Sequence, residues 1–154
     1  MADDVLQVLP SRNDVLGFAL RTRKNLDFVL EASKRDEDVH TVTQLANSLL
    51  GLLVFLHEGP LDKQIRRMQM SHLESKGWPT WEFRAGSSKS LGDHLRHLRN
   101  AIAHRGIKFS TESRELKDVL FVMADQDNWH VAISGDRLHH FCLKLCALVE
   151  ETLD

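Results

Sequence analysis

An arginine and a histidine stand five residues apart in the run Leu98-Arg99-Asn100-Ala101-Ile102-Ala103-His104. Together they offer the chemistry needed to cut RNA through its own 2′-hydroxyl. That reaction requires a base that titrates near neutrality to take the hydroxyl proton, and a cation to hold the charge that grows on the phosphorane oxygens. An imidazole, with an ordinary pKa of ~6.5, meets the first need. A guanidinium, always charged and able to fork onto phosphate oxygens, meets the second. The scheme uses no metal and no cofactor. Polar Asn100 completes the candidate catalytic set of Arg99, Asn100 and His104, and Arg96, His97, Arg105 and Lys108 are the expected RNA contacts.

These residues must be carried by a helix. Ser90 is a good N-cap, Asp93 places a negative charge in the first turn, and Gly106 is a good stop, so the sequence predicts a helix over Leu91–Arg105. Five residues along a straight helix turn Arg99 and His104 about 140° apart, too far for a tight pair. Either the last turn departs from ideal geometry, or two copies of the chain face each other and build a composite site. The second is the preferred expectation: a symmetric homodimer with these helices near the two-fold axis and one shared RNA cleft. Charge agrees, since residues 61–108 hold 10 Lys/Arg against 4 Asp/Glu, although the whole chain has a net charge of only −2.

Around this helix the apolar spacing predicts others. Ser11-x-x-Asp14 resembles a capping box that opens a long amphipathic helix to about Lys34. A second helix, apolar on most sides and therefore central, runs from about Val39 to His57. After Gly59-Pro60 a shorter basic helix is expected from Leu61 to about Leu73. Residues 76–90 read as an irregular loop whose Trp78, Trp81 and Phe83 either stack on bases or, as the favoured reading, anchor the loop on the core. Val119–Met123 and the alternating Trp129, Val131 and Ile133 flank a polar turn and predict a short β-hairpin. Ser134 then caps a last helix to about Leu153. The expectation is one domain over 1–154, all-α, a bundle of about five helices with a short β-hairpin before the last.

The run from Leu98 to His104 resembles the Arg-x4–6-His signature of the HEPN superfamily, whose first x is usually polar, as Asn100 is. Thr43-Gln44-Leu45-Ala46-Asn47-Ser48-Leu49-Leu50-Gly51-Leu52-Leu53-Val54-Phe55 is similar to the central helix of a plasmid- and prophage-associated HEPN nuclease subfamily, and the hairpin followed by a last helix also matches. The resemblance implies a HEPN-like bundle that dimerises and cuts RNA without metal, leaving 2′,3′-cyclic phosphate and 5′-hydroxyl ends. Many such relatives are toxins or defence effectors, and some are held inactive by a partner, so an antitoxin or other regulatory protein is an implied partner. Non-catalytic HEPN members exist as well, and a catalytically silent RNA- or protein-binding adaptor is the alternative.

Composition sets the outer limits. With 42% hydrophobic and 27% charged residues the chain is neither disordered nor collagen-like, and its longest apolar stretch, Leu49 to Leu56, is far short of the ~20 residues of a membrane span. No membrane role and a reducing cytoplasm are expected, the latter because Cys142 and Cys146, four apart on a helix, are poorly placed for a disulfide. His139, Cys142 and Cys146 share a helix face and offer three zinc-ligand types, but that face is the apolar stripe, so the core reading is preferred. Among the 9 histidines, His94 and His97 form a His-x2-His pair, with His97 nearly on the face of His104. Gln44 and Asn47, polar in an apolar helix, are read as structural rather than as part of the site.

Overall fold

The structure, a computed structural model, describes residues 10–110 and 115–154. The first helix, α1 (Arg12–Lys34), starts from the expected capping box: the Ser11 hydroxyl accepts from the Asp14 backbone N–H, and the Asp14 carboxylate accepts from the Ser11 N–H. It packs along α2 (Thr41–Leu56) and along the last helix, here numbered α6 (Gly135–Leu153). Gly51 lets α1 and α2 approach, because a Cβ there would collide with the ring of Phe18, which stacks on Phe55. Leu45, Leu49, Leu52 and Leu53 of α2 are buried, and each such leucine contributes roughly 1.5–3 kcal/mol by leaving water. The central placement of this helix follows from its composition.

Two expectations need correction. The helix read over Leu61–Leu73 divides into α3 (Asp62–Arg67) and α4 (Met70–Ser75). At the break, the Met68 carbonyl accepts from Leu91 N–H and Met70 N–H donates to the Lys89 carbonyl, so pairing with a distant segment replaces the helical bonds. Nor is the fold all-α. Loop 76–90 contains a strand, β1 (Glu82–Ala85), and the turn after α5 (Leu91–Ala103) leads into another, β2 (Ile107–Phe109). With the hairpin β3 (Leu120–Asp125) and β4 (Trp129–Ser134) they form an antiparallel sheet in the order β1-β4-β3-β2. The flanking strands are three and four residues long, too short to show an alternating pattern; they form because the two edges of the hairpin offer unpaired backbone groups. The described residues thus hold six α-helices and a four-stranded sheet.

The hairpin itself is as expected. Asp125 pairs with Trp129 across a three-residue loop that ends on Asn128 with φ 55°, the left-handed residue such loops require. Phe121, Met123, Trp129, Val131 and Ile133 are buried, and β3 lies against α5. Ser134 occupies the N-cap of α6, though its hydroxyl makes no capping bond. Cys142 and Cys146 are free and buried, with burial pushing both thiols up, that of Cys146 to about 12, as the core reading of that stripe requires. Gln44 donates to the Ser48 hydroxyl, and Asn47 is exposed.

His94 of α5 is also a core residue. It lies among Trp81, Trp129 and Phe141, its Nδ1 2.8 Å from the Ser88 hydroxyl, which in turn accepts from the Trp129 indole N–H at 3.0 Å. Burial, reinforced by nearby His97, pushes its pKa down to about 3. Between that value and the ordinary 6.5 the unfolded chain binds a proton the folded chain excludes, so stability rises with pH across this window and falls as pH drops through it. Near pH 4 the loss from this group is of order ~3 kcal/mol. Denaturant melts at neutral pH and near pH 4 should show it, and His94→Leu should flatten the difference; an unchanged pH slope in that variant would contradict the assignment.

Candidate active site

The site is built on α5 and on the turn that ends it. Ser90 caps α5 by accepting from Asp93 N–H, as the sequence suggested, but the helix stops at Ala103, two residues early. His104 is the C-cap residue, Arg105 follows with φ 59°, and Gly106 N–H returns to the Ala101 carbonyl while Arg105 N–H bonds that of Ile102. This is the two-bond arrangement that ordinarily places glycine at the left-handed position, here held by arginine. Gly106 serves a different need: a Cβ on it would collide with the Ala124 carbonyl oxygen.

The motif residues divide between two environments. On the side facing β3, the Asp125 carboxylate is nearly sealed and accepts from His97 Nδ1 at 2.8 Å, from Gln126 N–H at 2.6 Å and from Asn100 Nδ2 at 3.4 Å. Burial raises the Asp125 pKa, but these hydrogen bonds outweigh it and hold the carboxyl below the usual range. His97 is stacked on Trp129, with ring planes 9° apart, and its Nε2 lies 3.2 Å from Nη2 of Arg96. Arg96 is paired with Asp93 at 2.8 Å and, more loosely, with Asp127 at 3.7 Å. Three of the expected site residues, Arg96, His97 and Asn100, therefore converge on carboxylates of the chain itself.

The other environment holds Arg99 and His104. Arg99 is half-buried and, among the described residues, makes no hydrogen bond or ion pair, although the carboxylates of Asp62 and Glu58 are near enough to act on it. Burial lowers its pKa, Asp62 opposes that shift, and the guanidinium stays charged. His104 is exposed, as are Arg105 and Lys108, the latter on β2. Within one chain no hydrogen bond joins Arg99 to His104.

Two groups of side chains have the residue types of metal ligands. His139, Cys142 and Cys146 do not converge, whereas His97, Asp125 and Asp127 each bring a donor atom to within 4.8 Å of the others. The Arg96 guanidinium lies against Asp127, and His97 is already bonded to Asp125, so each of the three groups has a side-chain partner within the chain.

A family model described as HEPN pEK499 p136 matches residues 10–154. The chain belongs to this HEPN family. Comparison with curated proteins and with solved structures finds no significant match. In this HEPN chain α5 carries Arg99 within it and His104 at its C-cap. Asp125 escaped the sequence reading because Asp125-Gln126-Asp127-Asn128 has the composition of any polar turn. Only its place at the foot of a strand that returns beside α5 gives it a role. No helix among the described residues is long and apolar enough to cross a membrane.

Asp125 should be the keystone of the β3-facing side. Asp125→Ala leaves buried donors of His97 and Asn100 unpaired and should lower folding stability by about 1–3 kcal/mol, while Asp125→Asn, which keeps an acceptor, should lose less. Because the folded pKa is depressed, the wild-type contribution is present above the ordinary value of 3.8 and is lost as pH falls below it. Thermal melts of the two variants decide the matter, and equal Tm values for wild type and Asp125→Ala would refute this role.

Proposed function

We propose that this HEPN chain is an endoribonuclease that cuts single-stranded RNA by attack of the 2′-hydroxyl on the adjacent phosphate, with no metal in the step. The observation that carries the reading is the contrast along α5: Arg96 is committed to carboxylates, whereas Arg99, half-buried and without a partner among the described residues, is free to take a phosphate, and exposed His104 closes the same helix. His104 takes the proton from O2′ as the O2′–P bond forms. Arg99 holds the charge on the non-bridging oxygens, the P–O5′ bond breaks, and O5′ leaves as the alcohol with a proton from water, which is made good by the proton His104 gives back to solvent. The products are a 2′,3′-cyclic phosphate and a 5′-hydroxyl. Asn100, held by Asp125, adds a polar group beside Arg99.

The same proposal includes a symmetric dimer in a reducing cytoplasm. The divergence of about 140° that a straight helix would impose on Arg99 and His104 is bridged if each subunit supplies one of them to a shared cleft. An apolar surface supports such pairing: Leu50 and Val54, 38% and 65% exposed, stand one turn apart on α2. The resemblance extends the reading to a toxin or defence effector restrained by an antitoxin or regulatory protein. A second reading, the catalytically silent adaptor, draws on the lack of any hydrogen bond between Arg99 and His104 within one chain.

The decisive experiment treats a labelled single-stranded RNA with purified protein in excess EDTA. Cleavage should persist, the matching DNA should stay intact, and Arg99→Ala and His104→Ala should each lose on the order of 10²–10⁴ in rate with unchanged circular dichroism. A fully active His104→Ala, or activity lost in chelator and restored by magnesium or zinc, sinks the mechanism.

Mixing the two inactive variants tests the shared cleft separately. Heterodimers should recover part of the activity, and an active enzyme that light scattering shows to be monomeric would exclude it.

A further inference from the structure

A groove of about 650 Å³ opens on another side of the molecule, between α3, α4 and α6. Its floor is apolar, made by Met68, Leu73, Leu148 and Trp78. Its rim carries Arg67 from the end of α3, Lys76 from the end of α4 and Lys144 from α6, opposed by one carboxylate, Glu151, among the described residues that line it. None of the three cations makes an ion pair within the described residues, so the positive charge of this rim is unspent. Of the three tryptophans, Trp81 and Trp129 are buried in the core, and Trp129 has its indole N–H bonded to Ser88. Trp78 alone is only half-buried, its ring set edge-on against Phe141 and turned to the groove.

We propose that this groove is a second RNA-binding site, in which a base of a single strand stacks on Trp78 and its phosphates lie among Arg67, Lys76 and Lys144. A half-exposed aromatic floor ringed by unpaired cations is what a single strand uses, since every base has a face to stack and every linkage a charge to neutralise. Gln64 and Gln69, also in the lining, offer amides to base edges. The position suits a long substrate. The groove wall at Met68 and Gln69 is bonded to Ser90 and Leu91, where α5 begins, and His104 ends the same helix about 20 Å away along its axis. A strand anchored in the groove would be held at a distance from the signature residues that a few nucleotides cover. The identity of the bound polymer rests on the RNA-cleaving reading; the chemistry of the groove does not.

The test uses a fluorescein-labelled, 2′-O-methyl single-stranded oligoribonucleotide, which binds without being cut, and the full chain. Wild type should bind it with quenching of tryptophan emission. Lys76→Glu combined with Lys144→Glu, both at the rim, should weaken binding at least about tenfold and flatten its salt dependence. Trp78→Leu should abolish the quenching, and Lys76→Glu alone, at an exposed position, serves should the Trp78 variant fail to fold. Cleavage of a dinucleotide, too short to span both places, should be unaltered in the rim variants. Unchanged oligonucleotide affinity in the double rim variant overturns the proposal, as does a groove that takes an acidic peptide while the oligonucleotide binds elsewhere. A protein that binds through the rim but never cleaves would leave this site standing and remove the nuclease reading, whereas cleavage with rim-independent binding does the reverse.

Discussion

The backbone at Gly106 runs so close to that at Ala124 that no side chain fits between them, and much of the molecule's working end depends on this contact. Gly106 N–H closes the last turn of α5 on Ala101, and its carbonyl accepts from Ala124 N–H at 2.8 Å. One residue therefore ends the helix and begins the pairing of β2 with β3. Because Ala124 is fixed there, Asp125 comes to lie beside α5 at Asn100 and His97, and because the helix ends there, His104 leaves it as an exposed cap residue. The signature motif and the carboxylate that organises its inner side are brought into register by one backbone contact.

What the sequence made legible was what periodicity and capping encode. α1 with its Ser11–Asp14 box, apolar α2, α5 behind Ser90 and the 120–134 hairpin are local features, stated by residues close together in the chain. The features missed are those created by distant partners. Met68 and Gln69 have helix-compatible side chains and are extended because residues 89–91 pair with them, and β1 exists because β4 offers an edge. His97, expected nearly to share a face with His104, lies instead against β3, and nothing near it in sequence announces that Trp129 will stack on one side and Asp125 close the other. Local rules give the elements; the polar interior is decided by which ends meet.

The two faces of α5 differ in electrostatic state for a related reason. Facing β3, the charged groups have partners within the chain: Asp93 and Asp127 flank Arg96, and Asp125 accepts from His97. Such a network gives shape rather than reactivity. Arg99 lies outside it, kept charged in a partly desolvated place where a bound anion would be held more tightly than in water.

Arg105 has a further meaning. A residue with a Cβ in the left-handed conformation is about 1–2 kcal/mol less comfortable than glycine would be, so the turn beside His104 is not the most relaxed this backbone allows. The chain carries its glycine one position later, where the sheet leaves no choice, and an arginine where ease of folding alone would select glycine. Drift toward thermostability at this position would discard a cation, and retention of the arginine keeps the turn tense. Robustness and electrostatics are thus set against each other in one residue, next to the histidine the motif presents to solvent.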